Sequence, residues 1–473
     1  MAETTRKPRT LAAVVLAAGK GKRLKSSTPK VLHPICGRPA LWHVLQTIRG
    51  VRPTTIVIVV GHGADDVRAA VGSWGIKPEP VFVEQTELLG TGHAVLAAEH
   101  AVGRADDVLV AGGDYDPVTA DDVKRLVRVH RRSASAAAIF ATELDEPGGY
   151  ARVIHDRGRL VRIVEGFDAP PDLRESHLVS PLVMVFRRED LYRALPSVGR
   201  ENRQSEYYLN AVLPILLDKG ERVSVVPVDT GGAFGVNGRD GLAAVERVVR
   251  GRINAAHLAN GVTIVDPAAT YIDIGVKIGG DTVILPMTFL EGSTVIGSAC
   301  SIGPSTRIVD SRIGDRSDVT FAVVLGSKVG RDVHVGPFAR MRPGTVLADG
   351  SKVGAFVDIK NATVGRGSKV PHLSYVGDTD IGKDANVGAG TITVNYDGYR
   401  KPRTTIGDGA RIGSDTMLIA PVTVGRDANT GAGSVITKDV PAGALGVERG
   451  DQRNVAGYRK RKDAEHRDDG KRR

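Results

Sequence analysis

Among its 473 residues the chain has only two cysteines, Cys36 and Cys300, and only 4% aromatic side chains. Two cysteines exclude a cysteine-built zinc site and a disulfide framework, and they point to reduced thiols in a cytoplasmic protein. Scarce aromatics exclude the platform of interleaved basic and aromatic residues that stacks bases, so no nucleic-acid partner is expected. No apolar run approaches the ~20 residues of a membrane span. Leu11–Ala18 follows Arg6, Lys7 and Arg9 but runs straight into Gly19-Lys20-Gly21-Lys22-Arg23. It therefore reads as a buried strand and a loop, not a cleaved leader. The net charge of +10 is partly terminal, since Arg459–Arg473 holds eight basic and four acidic residues. Residues 457–473 show no apolar periodicity and are expected to be a disordered basic tail.

Glycine, by contrast, is abundant, with 57 residues against the usual ~7%. Much of the excess belongs to a repeat. From about Ile278 to Gly425 an aliphatic residue followed by glycine returns at steps of six, as in Ile296-Gly297 then Ile302-Gly303, or Val329-Gly330 then Val335-Gly336. A six-residue period is the mark of a parallel β-helix. Each step supplies one flat side and its corner; the aliphatic side chain points into the prism and the glycine fits where a Cβ would crowd. Three steps close a triangular coil. A β-sandwich would need alternation with variable turns instead of a fixed phase.

Ahead of the repeat, apolar runs at Leu11–Ala18, Thr55–Val60, Pro80–Glu84 and Val108–Ala111 alternate with helical patterns at Leu41–Arg49, Ala64–Val71, His93–Ala101 and Ala120–Arg131. This alternation predicts a Rossmann-like, mostly parallel sheet covered by helices, with ligands at the carboxyl ends of the strands. The expected organisation is an α/β domain over 1–238, a linker helix over 239–260, a left-handed parallel β-helix over 261–456, and the tail. Leu242, Val245, Val249, Ile253 and Ala256 share one face of the linker. Val394–Lys401 breaks the repeat's phase and must loop out, as functional segments on rigid scaffolds commonly do.

The loop Gly19–Arg23 can cradle phosphate through free backbone amides. It lacks the Gly-Lys-Ser/Thr ending of a Walker loop and the glycine spacing of a dinucleotide fold. Together with Thr28-Pro29-Lys30-Val31-Leu32-His33, Leu89-Gly90-Thr91-Gly92-His93-Ala94 and Gly113-Asp114, it resembles the sugar-phosphate nucleotidylyltransferases. With the repeats behind it, the chain from Leu11 to Asn454 resembles the bifunctional N-acetylglucosamine-1-phosphate uridyltransferase / glucosamine-1-phosphate N-acetyltransferase family. The resemblance implies that Leu16, Ala17, Gly19, Gln85, Gly90 and Thr91 hold the uridine of UTP. It gives the phosphates to Arg23 and Lys30, Mg²⁺ to Asp114 and Asn237, and the sugar to Glu165. Such phosphoryl transfer needs in-line positioning and neutralised charge, with no covalent protein group. Lys22, Tyr115, Asp116, Ala151, Ser180, Asn210 and Ala211 depart from the family pattern. Most of them fall on the sugar side, which leaves open an altered sugar preference or a weakened transfer at this site.

In the repeat, Lys369–Asp378 is a dense polar run containing His372. An amine attacking a thioester must lose a proton, and imidazole is the side chain suited to take it near neutral pH. The same resemblance implies His372 as general base, Arg342 and Lys360 on the sugar phosphate, and Tyr375 and Asn386 on the sugar. It places Asn395, Tyr396, Ser414, Ala432 and Arg449 along acetyl-CoA, with Lys401 near the substrate or a neighbouring subunit, and it implies a homotrimer. A β-helix metalloenzyme of the carbonic-anhydrase kind would need several histidines on the prism, where only His334 and His372 fall. A non-catalytic scaffold would be indifferent to loss of His372.

Overall fold

The structure, a computed structural model, describes residues 9–114, 117–232, 235–236 and 238–471. The chain divides into two compact units: residues up to Ala256 with Tyr271–Gly275, and His257–Thr270 with the residues from Val276 onward.

The first unit is built on a ten-stranded sheet. Leu11–Ala17 lies at its parallel centre, flanked by Thr55–Val60 and Asp107–Gly112, and Val81–Glu84 extends the sheet beyond Thr55–Val60. These are the strands that the apolar runs predicted. Leu11–Ala17, Thr55–Val60 and Asp107–Gly112 are buried on both faces, so they read as continuous aliphatic segments, whereas Val81–Glu84 at the edge is partly exposed. Later strands join antiparallel: Val183–Arg187 pairs with Asp107–Gly112 and with Ala137–Glu143, and Leu178–Ser180 pairs with Ala151–Asp156. The covering helices include Ala40–Arg49, Ala64–Gly72, Thr91–Ala97 and Ala120–Arg132. Ala120–Arg132 starts on a reciprocal capping box between Thr119 and Asp122.

The helix Arg239–Ala259 follows. Its Val245 and Val249 are buried in the first unit's core, with Leu242, Val248 and Ile253 packed partly against it. The segment expected to be a bare linker is thus held mainly by the unit it leaves.

The second unit is a prism of three parallel sheets of eleven, ten and nine short strands. Strands of the same side recur on successive coils: Ile278 lies beside Ile296, Ile296 beside Ile313, and Ile313 beside Val329. Coil length varies between 16 and 18 residues, so the six-residue phase is kept by the strands and relaxed at the corners. The coil from Ile381 to Ile406 is longer and contains the expected outward loop. The glycine after each inward aliphatic residue is dictated by the next coil. A Cβ on Gly314 would stand 2.6 Å from the backbone of Gly330. Left-handed corner conformations are shared between other glycines, such as Gly344 (φ 81°), and residues such as Asp332 (φ 55°) and Asn361 (φ 46°). Buried hydroxyls such as Thr345 and Ser368 return their hydrogen bonds to corner carbonyls.

The terminal segment corrects the expectation of disorder: Tyr458–Lys471 is an α-helix. Its described side chains bury no apolar stripe. Its support is local, from ion pairs between Arg459 and Asp463 and between Lys462 and Glu465, three and four residues apart.

Asp107, fully buried at the start of its strand, accepts hydrogen bonds from His130, Arg131 and Arg9. Burial alone would push its carboxyl up, but the bonds from His130 and Arg131, the charge of His130 and the Arg9 contact outweigh it and hold the group at about 2. A depressed folded-state pKa gives stability that is full above the unfolded value and is lost as pH falls through the folded one. Asp107→Asn should cost about 3 kcal/mol at neutral pH. Urea unfolding at a series of pH values should show the difference from wild type shrinking between about pH 4 and pH 2.

Candidate functional site

The carboxyl ends of the parallel strands meet at a cavity of about 590 Å³. Leu16 and Gly19–Lys22 enter it from the first strand and the loop behind it, Gln85 from the end of Val81–Glu84, and Gly112 and Asp114 from the end of Asp107–Gly112. Lys30, on the turn Lys30–Leu32, extends its ammonium to Asp114 at 2.5 Å. Opposite charges thus lie side by side at the strand ends, where a phosphorylated ligand and its counter-cation need them. Gln85 is buried, and its Nε2 donates to the carbonyl of Gly90 at 3.1 Å. Gly90 has φ 108°, and a Cβ there would come within 2.7 Å of the Tyr207 carbonyl. The Thr91 hydroxyl accepts the amide of Leu209 at 2.9 Å.

Of the residues expected around the nucleotide, Leu16, Gly19, Lys30, Gln85, Gly90, Thr91 and Asp114 line this cavity. Ala17 is buried in the core behind it, and Arg23 is exposed and outside the described lining. Asn237, Tyr115 and Asp116 lie outside the described residues. Sequence reasoning missed Leu182, Gln204 and Glu206, which also line the cavity. Gln204 and Glu206 reach it because the segment around Tyr207 is pinned to the Gly90 loop: Gly92 donates to the Tyr207 carbonyl at 2.7 Å and Tyr207 to the Leu89 carbonyl at 2.8 Å. No local pattern marks a contact made by residues more than a hundred positions apart.

Two of the departures from the family pattern lie side by side. Ala151 pairs directly with Ser180 across neighbouring strands. Asn210 donates its amide to Glu165 at 2.6 Å. Burial pushes the Glu165 carboxyl above its ordinary value, against the bond from Asn210 and reinforced by Asp168 and Glu206; burial also raises Glu206.

On the prism, a second group forms along one corner and the sheet beside it. His372 ends the strand Lys369–His372, opposite Ala355, with its side chain exposed. Its carbonyl accepts the Ser374 hydroxyl at 2.8 Å. On the adjoining side, Asp358–Lys360 and Tyr375–Gly377 lie in register, Asp358 beside Tyr375 and Lys360 beside Gly377. Arg342, one coil earlier, donates its backbone amide to Ile359 and grips Asp358 with Nε at 3.0 Å and with Nη2. Its remaining Nη1 edge is the one left for an anion. Successive coils therefore stack Arg342, Lys360 and Gly377 in one column, with Tyr375 on the strand of Gly377 and His372, three residues before Tyr375, on the adjoining side. Asn386 is exposed one coil further on, opposite Lys369 and Arg411.

Asn395 does not reach outward as expected. It is buried, and its amide is bonded to Asp378. Tyr396 is the exposed residue of the loop; its hydroxyl donates to Gly398 at 2.7 Å, and the Lys401 ammonium lies 6.0 Å from its ring centre. Further along, Gly433 donates to the Ser414 carbonyl at 2.8 Å, and the Arg449 guanidinium donates to the Ala432 carbonyl at 3.1 Å. Ser414, Ala432 and Arg449 therefore form a column on consecutive coils. Among the described residues no cluster of three or more His, Cys, Asp or Glu side chains is arranged to hold a metal ion.

Residues 13–212 match the family described as MobA-like NTP transferase domain, and residues 403–438 match the bacterial transferase hexapeptide (six repeats). Similar proteins include the "Bifunctional protein GlmU" of Thermotoga maritima, 46% identical over 441 residues, covering 93% of this chain and 96% of that protein. Those of Heliobacterium modesticaldum (44% over 440 residues; 92% and 95%) and Thermoanaerobacter pseudethanolicus (42% over 449 residues; 95% and 97%) carry the same name.

Gly90→Ala should distort the loop that carries Thr91 and meets Gln85. Titration calorimetry with UTP should show affinity reduced at least about tenfold, from the strain of a left-handed alanine and the clash with Tyr207. Gly72→Ala, with no atom within 4 Å of the new methyl group, should leave it unchanged.

Proposed function

The chain belongs to the GlmU family of bifunctional proteins, and we propose that it carries out its two group transfers at the two sites just described. It is a bifunctional enzyme of UDP-N-acetylglucosamine synthesis: acetyl transfer from acetyl-CoA to glucosamine 1-phosphate, then uridylyl transfer from UTP to N-acetylglucosamine 1-phosphate. The observation that supports the assignment best is the set of Arg342, Lys360 and Tyr375 on successive coils of one side, with an exposed His372 three residues before Tyr375.

In the acetyl transfer, the aminosugar nitrogen attacks the thioester carbonyl carbon. A C–N bond forms, the C–S bond breaks, and CoA leaves as its thiolate, which is then protonated. His372 accepts the proton released by the nitrogen. Lys360 and the free edge of Arg342 hold the sugar phosphate, Lys360 as a point charge and Arg342 through its planar fork. Tyr375 and Asn386 orient the sugar, and the column Ser414–Ala432–Arg449 lies along the acetyl-CoA groove with Tyr396 at its rim.

In the uridylyl transfer, an oxygen of the sugar 1-phosphate attacks the α-phosphorus of UTP and pyrophosphate leaves. Lys30, with Lys20, Lys22 and Arg23 around the glycine loop, offsets the phosphate charge. The donor set suits Mg²⁺, which takes one or two protein oxygens together with phosphate oxygens. Asp114, with Asn237, would hold it, and when bound it supplies charge neutralisation for the phosphates. Glu165 meets the sugar.

The active form is a homotrimer. Phe321, Phe338 and Phe356 occupy the same corner on consecutive coils, with ring centres 5.5 and 5.2 Å apart, and Leu373 continues the column. All four are exposed, Phe356 by 60% and Leu373 by 62%. An apolar strip of this kind is suited to burial against another copy. The enzyme works in the cytoplasm, in keeping with two free, buried thiols and with no helix among the described residues long and apolar enough to cross a membrane.

A coupled assay with glucosamine 1-phosphate, acetyl-CoA, UTP and Mg²⁺ should release both CoA and pyrophosphate. His372→Ala should lower acetyl transfer by about 10²–10⁴-fold while uridylyl transfer from supplied N-acetylglucosamine 1-phosphate persists. Asp114→Asn should do the converse. Equal acetyl transfer by wild type and His372→Ala would defeat the assignment. Phe338→Asp should shift the protein from trimer to monomer in sedimentation velocity.

A further inference from the structure

Asp378 is a corner carboxylate only 5% exposed. It forms no ion pair within 4 Å among the described residues; Arg403, whose charge it feels, is bound on two atoms by Asp380. Its two oxygens are taken by two amides. Asn361 Nδ2 donates to Oδ1 at 2.6 Å, and Asn395 Nδ2 donates to Oδ2 at 2.5 Å. An ionised carboxylate only accepts hydrogen bonds, so both amides must turn their NH₂ groups towards it. The orientation of Asn395 is thereby fixed by chemistry: its nitrogen faces inward, and the oxygen is what its side chain can offer to a ligand.

The surroundings of that amide matter. A Cβ on Gly377 would stand 2.5 Å from the Tyr375 hydroxyl and 2.6 Å from Asn395 Nδ2. The missing side chain is what lets these two polar groups converge on one point, in register with Lys360. A thioester carbonyl oxygen is itself an acceptor and gains nothing from another acceptor. An amine nitrogen carries N–H donors and suits it. We propose that Asp378 is a positioning residue for acetyl transfer: it turns the Asn395 amide so that its oxygen accepts an N–H of the aminosugar and holds the nitrogen lone pair towards the acetyl donor. The proposal rests on reading this edge of the prism as the acetyl-transfer site.

The test is made on the full-length chain with steady-state kinetics for each substrate in turn. In Asp378→Asn, the new amide accepts from one of Asn361 and Asn395 and donates to the other, so the Asn395 amide is no longer held in one orientation and can turn over to present a donor. The expected result is a fall of about 10–100-fold in kcat/KM for glucosamine 1-phosphate, the scale of a charge-assisted hydrogen bond lost and replaced by a mismatch. KM for acetyl-CoA should stay within about twofold, and uridylyl transfer should be unaffected. The exchanged double variant Asp378→Asn with Asn395→Asp restores both bonds and again leaves an acceptor outward, so it should recover most of the loss. Unchanged kcat/KM in the single variant would overturn the proposal. So would an equal rise in both KM values with a lowered Tm, which a merely structural corner would give. Should the single variant fail to fold, the exchanged one decides: folded and active supports the proposal, folded and inactive refutes it. A wild-type chain that releases no CoA would instead refute the reading of the site itself.

Discussion

A strand of two or three residues has no stability of its own. Everything in the second unit depends on the backbone hydrogen bonds that tie each coil to the next, such as Arg342 to Ile359 and Tyr375 to Thr391. These bonds hold the register, and the register turns positions far apart in sequence into neighbours. Arg342, Lys360 and Gly377 are neighbours because each occupies the same place on its coil. The chemistry is therefore arranged as columns, and a column needs no loop to hold its members in place.

That constraint explains why so much of the prism could be read from sequence. The inward aliphatic residue and the glycine after it are imposed by the neighbouring coil, and they recur wherever a coil does. The roles of His372, Arg342, Lys360 and Tyr375 came from the family resemblance and not from the period. Asn395 could not be placed correctly. Its burial against Asp378 depends on a side-chain bond between coils, which leaves no trace in the period. The aromatic corner was also missed, because phenylalanines 17 or 18 residues apart look isolated until the coils are stacked.

The first unit shows the opposite balance. Its parallel strands were legible as aliphatic runs because both faces are buried. Its antiparallel half was not, since strands such as Ala151–Asp156 and Arg159–Val164 are partly exposed and mix charged with apolar residues. The far end of the cavity was hidden for a related reason. Gln204 and Glu206 are delivered by backbone bonds from the Tyr207 segment to the Gly90 loop. The terminal helix was missed because its support is ion pairing along its own surface rather than an apolar stripe.

Coils of unequal length stack without loss of register because the differences are confined to the corners. A column of this kind absorbs inserted residues where it bends and refuses them where it runs straight. The long coil between Ile381 and Ile406 is such an insertion, and the strands on either side of it remain in step. The scaffold can thus acquire new reach at any bend while the interior stays as it was, and the residues 395–403 are an appendage gained in that way rather than a flaw in the repeat.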